Sequence, residues 1–498
     1  MTRVRASSLT FALIVLASVV AFTDSRTAPV LLQFGDLMFS EGRYSQARLA
    51  YDSARDTEDA VLRQRATVGV VRAALRLGAF EAAMTTATEL RTLAPGDDAA
   101  LSVYADALWA SGLFEDAESV YEEVVARAPA LPEAHHGLAR ALAARNRLEE
   151  ALSHIRTALA FAPRNDEFHH TAGSILERLR RYEEAVTEFG AYLSLLPNQE
   201  QGEQAILARS KLRFLRSFGE RPPIDIKGDP LALHRIPFKI ANDKIIVRGR
   251  VNGRRNVDFV LDTGAEHTVL SARTSIAAGV EPIVRTLAAG VGQIGLRGLL
   301  LGKIDQLTIG TLSVEHLPTL IKDPRLTGFG LPKNERDGFS PIALGLSMSI
   351  DYERREVVIG REIPQEPADT VLPLRQHRLA MVQGVVNDDR RVTFIVDTGG
   401  EVISISRATA LSLGPPTFRR IPLKVFGASG WDPDAFLLPG VDLRFNQIEY
   451  NNFSVVVLNL DAPSTLLGFQ VGGIVGHKFL SRYRVAIDLL RSEVRLSS

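Results

Sequence analysis

Four prolines recur with a constant spacing of 34 residues, and this period constrains the fold of the first two fifths of the 498-residue chain more than any other feature. They are Pro95, Pro129, Pro163 and Pro197. The same period relates Ala83, Ala117, Ala151 and Ala185, each preceded by a short motif such as GLFEDA or RRYEEA. Because small alanines let paired helices approach closely and proline ends the second helix of a pair, the pattern predicts stacked helix-turn-helix units.

These features resemble tetratricopeptide repeats. An earlier unit, GRYSQA at Gly42–Ala47, and a capping helix around Gln201–Phe218 extend the predicted superhelix, which is all-α, to residues 30–218 and give it five repeats. Such an array presents a concave face that binds a protein partner or an extended peptide. The alternative is a spacer that only positions another domain.

Paired histidines also follow the 34-residue period. His135–His136 and His169–His170 occupy equivalent positions in consecutive repeats. The carboxylates and the ligand spacing of a known zinc motif are missing, so we expect no metal site there.

A second internal repeat follows the helical region. From Glu220, ERPPIDIKGDP replaces helical periodicity with short β-branched runs separated by turn residues. VRGRVNGRRNVDFVLDTGAEHTVLS from Val247 aligns without a gap on VQGVVNDDRRVTFIVDTGGEVISIS from Val382, at an offset of 135 residues. The sequence therefore predicts an all-β tandem duplication, with lobe 1 at residues 228–362 and lobe 2 at residues 370–498.

Each copy contains an apolar strand that runs directly into Asp-Thr-Gly, at Asp262 and Asp397. A carboxylate at the end of a buried strand needs hydrogen bonds. The residues able to supply them are Thr263, Gly264, Thr398 and Gly399. If the copies face each other about a pseudo-two-fold axis, the aspartates converge and share a proton, because like charges a few ångströms apart cannot both ionise easily. The ionised member can then activate a water and the protonated member can polarise a peptide carbonyl, without a metal or a cofactor.

The Asp-Thr-Gly motifs and their flanks resemble the retropepsin-like and pepsin-like aspartic proteases, in particular exported bacterial proteins with a retropepsin-type domain. The resemblance covers residues 228–498 and implies an acid-protease fold with two retropepsin-like lobes in one chain. It implies a hydrophobic-hydrophobic-Gly element beneath the catalytic loop, matched by Ile474, Val475 and Gly476. It also implies glycine-containing flap turns over the substrate, for which the candidates are Gly290, Gly292, Gly427 and Gly430.

Lobe 1 and lobe 2 depart from this pattern in different ways. The first copy reads DGFSPIALGLSMSID and lacks a clear hydrophobic-hydrophobic-Gly at the same distance from Asp351. The second copy has Gly400 where the family usually has Ala or Ser, and Ile403 where the first copy has Thr268. These differences predict an imperfectly symmetric site.

Composition narrows the chemistry. The chain has no cysteine, which excludes disulfides, thiolate metal sites and cysteine nucleophiles. Lys plus Arg and Asp plus Glu both number 58, so no global charge draws the chain to nucleic acid. We expect no cofactor, no metal and no nucleic-acid partner.

The N-terminus resembles an export signal. Arg3 and Arg5 precede the apolar run Leu9–Ala21, which is short for a bilayer span. We expect residues 1–24 to be a signal peptide and the mature protein to be periplasmic or secreted, without a membrane span. An uncleaved N-terminal anchor is the alternative.

Three other residues invite a catalytic interpretation. His267 follows Asp262 by five residues, but a residue there is expected to face a strand edge or solvent. Asp351 and Asp488 end matching Ile-Asp pairs, and we attribute this repetition to a shared turn.

The sequence thus predicts an aspartic endopeptidase in which an Asp262/Asp397 dyad hydrolyses peptide bonds of a protein or peptide substrate, while the helical array recruits substrate or a partner. We expect the dyad to form within one chain. The alternative is an interaction protein whose repeats and catalytically silent β module form one binding surface.

Overall fold

In a computed structural model, the described residues are 27–197, 202–291, 296–322, 336–387, 389–414, 420–427 and 430–498. The predicted signal peptide, residues 1–24, and the flap candidate Gly292 lie outside them. The chain divides into two compact units, Met1–Ser111 and Gly112–Ser498. No helix within the described ranges combines the length and the apolar character needed to cross a membrane.

The first unit consists of helices joined by short turns. They are α1 (Ala28–Ser40), α2 (Tyr44–Ala54), α3 (Ala60–Arg76), α4 (Phe80–Leu93) and α5 (Asp98–Ala110). Tyr51 of α2 packs against Gly35 and Gly69, where an added Cβ would lie 2.6 and 2.5 Å from its ring. A flat aromatic ring thus fills the space that the two glycines leave open, and the helices approach closely.

The second unit begins with six helices of the same kind. They are α6 (Phe114–Arg127), α7 (Pro132–Ala144), α8 (Leu148–Phe161), α9 (Asp166–Arg178), α10 (Tyr182–Leu195) and α11 (Glu203–Arg216). The periodic alanines Ala117, Ala151 and Ala185 are fully buried, as expected of residues that allow close helix packing.

Residues beyond the helices form two β lobes with matching strand order. Lobe 1 contains β1 (Asp225–Ile226), β2 (His234–Ile240), β3 (Ile245–Val251), β4 (Arg255–Leu261), β5 (Thr268–Leu270), β6 (Pro282–Ala289), β7 (Leu296–Ile309), β8 (Leu312–Ile321), β9 (Asp337–Phe339), β10 (Ser347–Asp351) and β11 (Glu356–Gly360), with helix α12 (Ala272–Ala278). Lobe 2 contains β12 (Thr370–His377), β13 (Leu379–Val386), β14 (Arg390–Asp397), β15 (Ser404–Ser406), β16 (Ile421–Pro422), β17 (Val425–Gly427), β18 (Gly430–Asp432), β19 (Phe436–Phe445), β20 (Ile448–Leu458), β21 (Gly473–Gly476), β22 (Arg484–Asp488) and β23 (Glu493–Ser497), with helices α13 (Arg407–Ser412), α14 (Asp461–Leu467) and α15 (His477–Leu480).

Strands from both lobes form one antiparallel sheet between them. Its order is β2, β11, β10, β22, β23 and β12, and the lobes meet where β10 pairs with β22. Buried aliphatic and aromatic side chains of the two lobes form one continuous core. The predicted order, an all-α region followed by an all-β, acid-protease-like region, is therefore confirmed.

Helices of the second unit pack directly against the lobes. Phe214 of α11 and the following Phe218 contact Val284 of β6 and Leu301 of β7, and Ser210 donates a 2.6 Å hydrogen bond to the carbonyl of Arg285. The base of the β6–β7 hairpin is therefore held by the last helix of the array.

A second contact joins the array to lobe 2. The buried guanidinium of Arg178 on α9 donates to the side chain of Gln376 on β12 at 2.9 Å, and Arg391 of β14 pairs with Asp116 of α6. Burial lowers the pKa of Arg178 to about 10. Hydrogen bonds to Gln376, Asn146 and the Ala143 carbonyl compensate for the loss of water around this charge.

Candidate active site

Equivalent strand pairings place Asp262 and Asp397 at matching positions in the two lobes. Strand β4 pairs in parallel with β9, and the amide of Asp262 donates to the Phe339 carbonyl at 2.9 Å. Strand β14 pairs in parallel with β21, with Asp397 opposite Gly476. Each aspartate thus lies at the carboxyl end of a central strand, where hydrogen bonds to a neighbouring parallel strand hold its backbone in place.

Two buried threonines lock the Asp-Thr-Gly turns together. Thr263 Oγ1 donates to the Val396 carbonyl at 2.6 Å and accepts from the Thr398 amide at 3.0 Å. Thr398 Oγ1 donates to the Leu261 carbonyl at 2.7 Å and accepts from the Thr263 amide at 3.1 Å. Each hydroxyl therefore satisfies two backbone groups of the opposite lobe, and the two turns hold each other in register.

The glycines of both motifs are required by the carboxyl group of the opposite lobe. A Cβ on Gly264 would lie 2.4 Å from the Asp397 Cγ, and a Cβ on Gly399 would lie 2.4 Å from the Asp262 Oδ1. Each carboxyl group therefore lies against the motif of the opposite lobe, within one chain. No larger residue fits either position without displacing a carboxyl group.

The environment raises the pKa of both carboxyl groups. Burial, the charge of Asp397 and the hydrogen bond to it raise the pKa of Asp262 to about 8. Burial also raises the pKa of Asp397, but the Gly400 and Gly399 amides and the ammonium of Lys244 counteract this effect. The two carboxyls are thus unequal, and their burial and mutual repulsion oppose ionisation of both at once.

The predicted element Ile474, Val475 and Gly476 lies on β21, beside the strand that ends at Asp397. A Cβ on Gly476 would lie 2.5 Å from the Val402 carbonyl, which explains the glycine. In lobe 1, Gly338 and Phe339 of β9 pair in the same parallel manner with β4. The first copy therefore departs from the family motif in sequence only, because β9 occupies the same place beside β4 that β21 occupies beside β14.

The described flap candidates lie at the ends of two hairpins. Gly290 follows β6, whereas Gly427 and Gly430 pair with each other at the end of the β17–β18 hairpin. A Cβ on Gly427 would lie 2.3 Å from the Val291 carbonyl, so the two hairpin ends contact each other. The role of these residues as flaps stays a prediction.

Sequence reasoning missed a set of charged residues beside the aspartates. The ammonium of Lys244 donates to the Gly399 carbonyl. Glu266 pairs with Arg378 of the opposite lobe at 3.6 Å, and Glu401 pairs with Lys478 at 2.7 Å. The signal that could have found the two glutamates is their repetition, four residues after Asp262 and four after Asp397.

The other candidates have structural surroundings. His135 contacts His154 at 2.9 Å and His169 contacts Glu188 at 2.6 Å, and the second ring nitrogen of each contacts a proline carbonyl. The described part of the chain contains no group of three or more His, Asp or Glu side chains arranged to hold a metal ion. The structure keeps the periodic histidines in contacts between helices.

Two further expectations have different outcomes. Asp351 and Asp488 each accept the amide three residues later, at 2.9 and 3.0 Å, so the predicted shared turn is confirmed. His267, expected at a strand edge or facing solvent, directly precedes β5 and is half-buried. Its Nδ1 is enclosed, and burial lowers the pKa of the side chain; Lys211 of α11 acts in the same direction, whereas Glu177 of α9 opposes it.

Family models match successive parts of the chain. Tetratricopeptide repeat models match residues 32–98, 74–141 and 108–175. The gag-polyprotein aspartyl protease model matches residues 247–331, and an aspartyl protease model matches residues 382–479. The chain therefore carries tetratricopeptide repeats followed by two aspartyl-protease-like segments.

Several solved structures are similar to a part of the chain. A tetratricopeptide repeat protein of Thermus thermophilus is 20% identical over 34% of this chain and 92% of its own, with a TM-score of 0.30. MamA of Desulfovibrio magneticus is 20% identical over 35% and 98%, with a TM-score of 0.25. PilF of Pseudomonas aeruginosa is 13% identical over 39% and 85%, with a TM-score of 0.29. No curated protein matches the chain.

Proposed function

We propose that this chain of tetratricopeptide repeats and aspartyl-protease-like lobes is an aspartic endopeptidase. The observation that carries the proposal is that the Asp262 and Asp397 carboxyls each lie against the opposite motif, which reciprocal threonine hydrogen bonds hold across the lobes. A structural remnant would not need to keep two carboxyl groups beside each other, because neighbouring negative charges repel each other.

The chemistry follows from the single proton of the pair. The ionised carboxylate removes a proton from a bound water, whose oxygen attacks the peptide carbonyl carbon. The protonated carboxyl donates its hydrogen bond to the carbonyl oxygen and stabilises the negative charge that develops there. Transfer of a proton to the amide nitrogen then allows the C–N bond to break and the amine to leave.

The helical repeats supply the second part of the proposal, recruitment of a substrate or a protein partner. Helices α1 and α3 expose large apolar side chains, among them Val30, Leu37 and Val61 at 63%, 52% and 74%. Replacing Leu37 and Val61 by Ser is expected to raise the KM for a protein substrate. The KM for a short peptide should stay unchanged, because the dyad is untouched.

Export completes the proposal. The charged and apolar N-terminal pattern supports a periplasmic or secreted location. Fractionation of expressing cells tests it, and recovery of the full-length chain in the cytoplasm would contradict it.

The proteolytic proposal is tested with a denatured protein mixture incubated from acid to neutral pH. Asp262→Asn and Asp397→Asn remove one titrating carboxyl at nearly constant shape, and each should abolish cleavage. Asp258→Asn is the matched control, since Asp258 lies on the same strand but is exposed and paired with Arg248. A statine-type transition-state mimic should inhibit the wild type and the control.

Equal cleavage by the wild type and both dyad variants would refute the dyad. Absence of all cleavage, with retained partner binding, would favour the interaction protein instead. Restoration of activity on mixing the two single variants would contradict a dyad formed within one chain.

A further inference from the structure

The carboxyl pair lies between two lobes of similar structure, yet its surroundings are unequal. A type I′-like turn joins β2 to β3, with Asn242 and Asp243 at φ of 51° and 52°. This turn positions Lys244 so that its half-buried ammonium donates to the carbonyl of Gly399, in the motif of the other lobe. A positive charge is thereby fixed on one side of the pair.

The corresponding position of lobe 2 has no such charge. An offset of 135 residues relates Lys244 to Leu379, which is 7% exposed. The neighbouring cation, Arg378, is directed to Glu266 instead. The two sides of the pair therefore differ in electrostatics although their backbones correspond.

Backbone amides add to the same asymmetry. The Asp397 carboxylate accepts a hydrogen bond from the Gly399 amide at 2.8 Å, and the Gly400 amide donates to the Asp397 backbone carbonyl at 3.2 Å. The Asp262 carboxylate accepts the corresponding bond from the Gly264 amide, at the longer distance of 3.1 Å. Hydrogen bonds to a carboxylate favour its charged form, so the shorter Gly399 bond and the Lys244 ammonium both stabilise charge on Asp397.

We propose that Lys244 is a positioning residue that breaks the symmetry of the pair: its ammonium keeps the negative charge on Asp397 and leaves the shared proton on Asp262. The inference rests on the proposed proteolytic function and assigns the two roles. Asp397 removes the proton from the water, and Asp262 donates the hydrogen bond to the substrate carbonyl.

Other charged groups around Lys244 are consistent with this assignment. Of the carboxyls near its ammonium, Asp397 attracts it most, followed by Glu401 and then Asp262, whereas Arg336 repels it. Burial lowers the pKa of Lys244, and these carboxyls oppose that effect. The remaining titratable or charged groups of the cluster are His477, Asp243 and Lys478.

The pH dependence of kcat/KM tests the role of the ammonium. A nearby cation favours loss of both protons from the pair, so Lys244→Met should move both limbs of the bell-shaped profile to higher pH by about one unit. Lys244→Arg keeps the charge and should keep the profile. Lys478→Met removes an exposed ammonium that pairs with Glu401 and should leave both limbs in place. Unchanged limbs in Lys244→Met, or an equal shift in Lys478→Met, would overturn the proposal.

A titration that needs no activity separates this proposal from the proteolytic one and applies even if Lys244→Met does not fold. Carbon-13 NMR of the carboxyl groups should show that Asp397 in the Asp262→Asn variant titrates about one unit or more below Asp262 in the Asp397→Asn variant. The opposite order would refute the assignment. If the wild type does not cleave protein but this order is found, the proteolytic proposal fails and the asymmetry stands.

Discussion

Removal of one threonine hydroxyl should destabilise the contact between the lobes. Thr263→Val keeps the shape of the side chain but deletes the 2.6 Å bond to the Val396 carbonyl and the acceptor of the Thr398 amide. Thr263 is 1% exposed, so no solvent is available to replace either partner. At about 1–3 kcal/mol for each buried group left without a partner, the two groups together cost about 2–6 kcal/mol.

Urea unfolding followed by the fluorescence of Trp431 measures this loss. The chain has two tryptophans, and Trp109 is 2% exposed in the first unit, so a Trp109→Phe background isolates the signal of lobe 2. The transition midpoint should fall with little change in its denaturant slope. Thr263→Ser retains the hydroxyl and is the matched control.

A double-mutant cycle with Thr398→Val sharpens the test. Because the two hydroxyls belong to one network, the double variant should lose clearly less stability than the sum of the single variants. Losses below about 0.5 kcal/mol, or strictly additive losses, would show that the reciprocal bonds do not hold the lobes together.

Three further predictions concern residues of the second unit, Gly112–Ser498. Gly399→Ala should lower kcat/KM by about 100-fold or more, because its Cβ would displace the Asp262 carboxyl; Gly190→Ala, with nothing within 4 Å of the added carbon, should leave kcat/KM unchanged. Phe214→Ala should cost about 3–5 kcal/mol and speed hydrogen exchange in β6, whereas exposed Phe161→Ala should do neither. The folded-state pKa of Asp262 lies near 8, above its ordinary value, so the folded protein keeps this proton at a pH where the unfolded chain has lost it. The melting temperature of the wild type should therefore fall relative to that of Asp262→Asn as the pH rises from about 4 to 8. A rise over that range would contradict the assigned shift.

The convergence of Asp262 and Asp397 could be predicted because a duplicated strand-turn motif has few ways to satisfy its carboxylates. Lys244 could not be predicted, since its hydrogen bond joins residues 155 positions apart and depends on how the lobes face each other. Strand β9, which ends at Phe339, could not be predicted for the same reason, because its place depends on parallel pairing with the distant strand β4 and not on a sequence motif. The burial of His267 depends on α11 and α9, which the local sequence around it does not reveal.

The position of β23 in the sheet between the lobes has a consequence for synthesis of the chain. Residues 493–497 follow every other strand in sequence, yet β23 lies inside the sheet, between β22 and β12. The second half of β12 pairs with the next strand, β13, but its first half, which leaves the ribosome about 120 residues before β23, meets that partner only after the rest of lobe 2 has emerged. A nascent chain that ends before Glu493 lacks β23, so the facing edges of β22 and β12 stay unpaired. Premature termination at that point therefore removes an interior strand of the sheet.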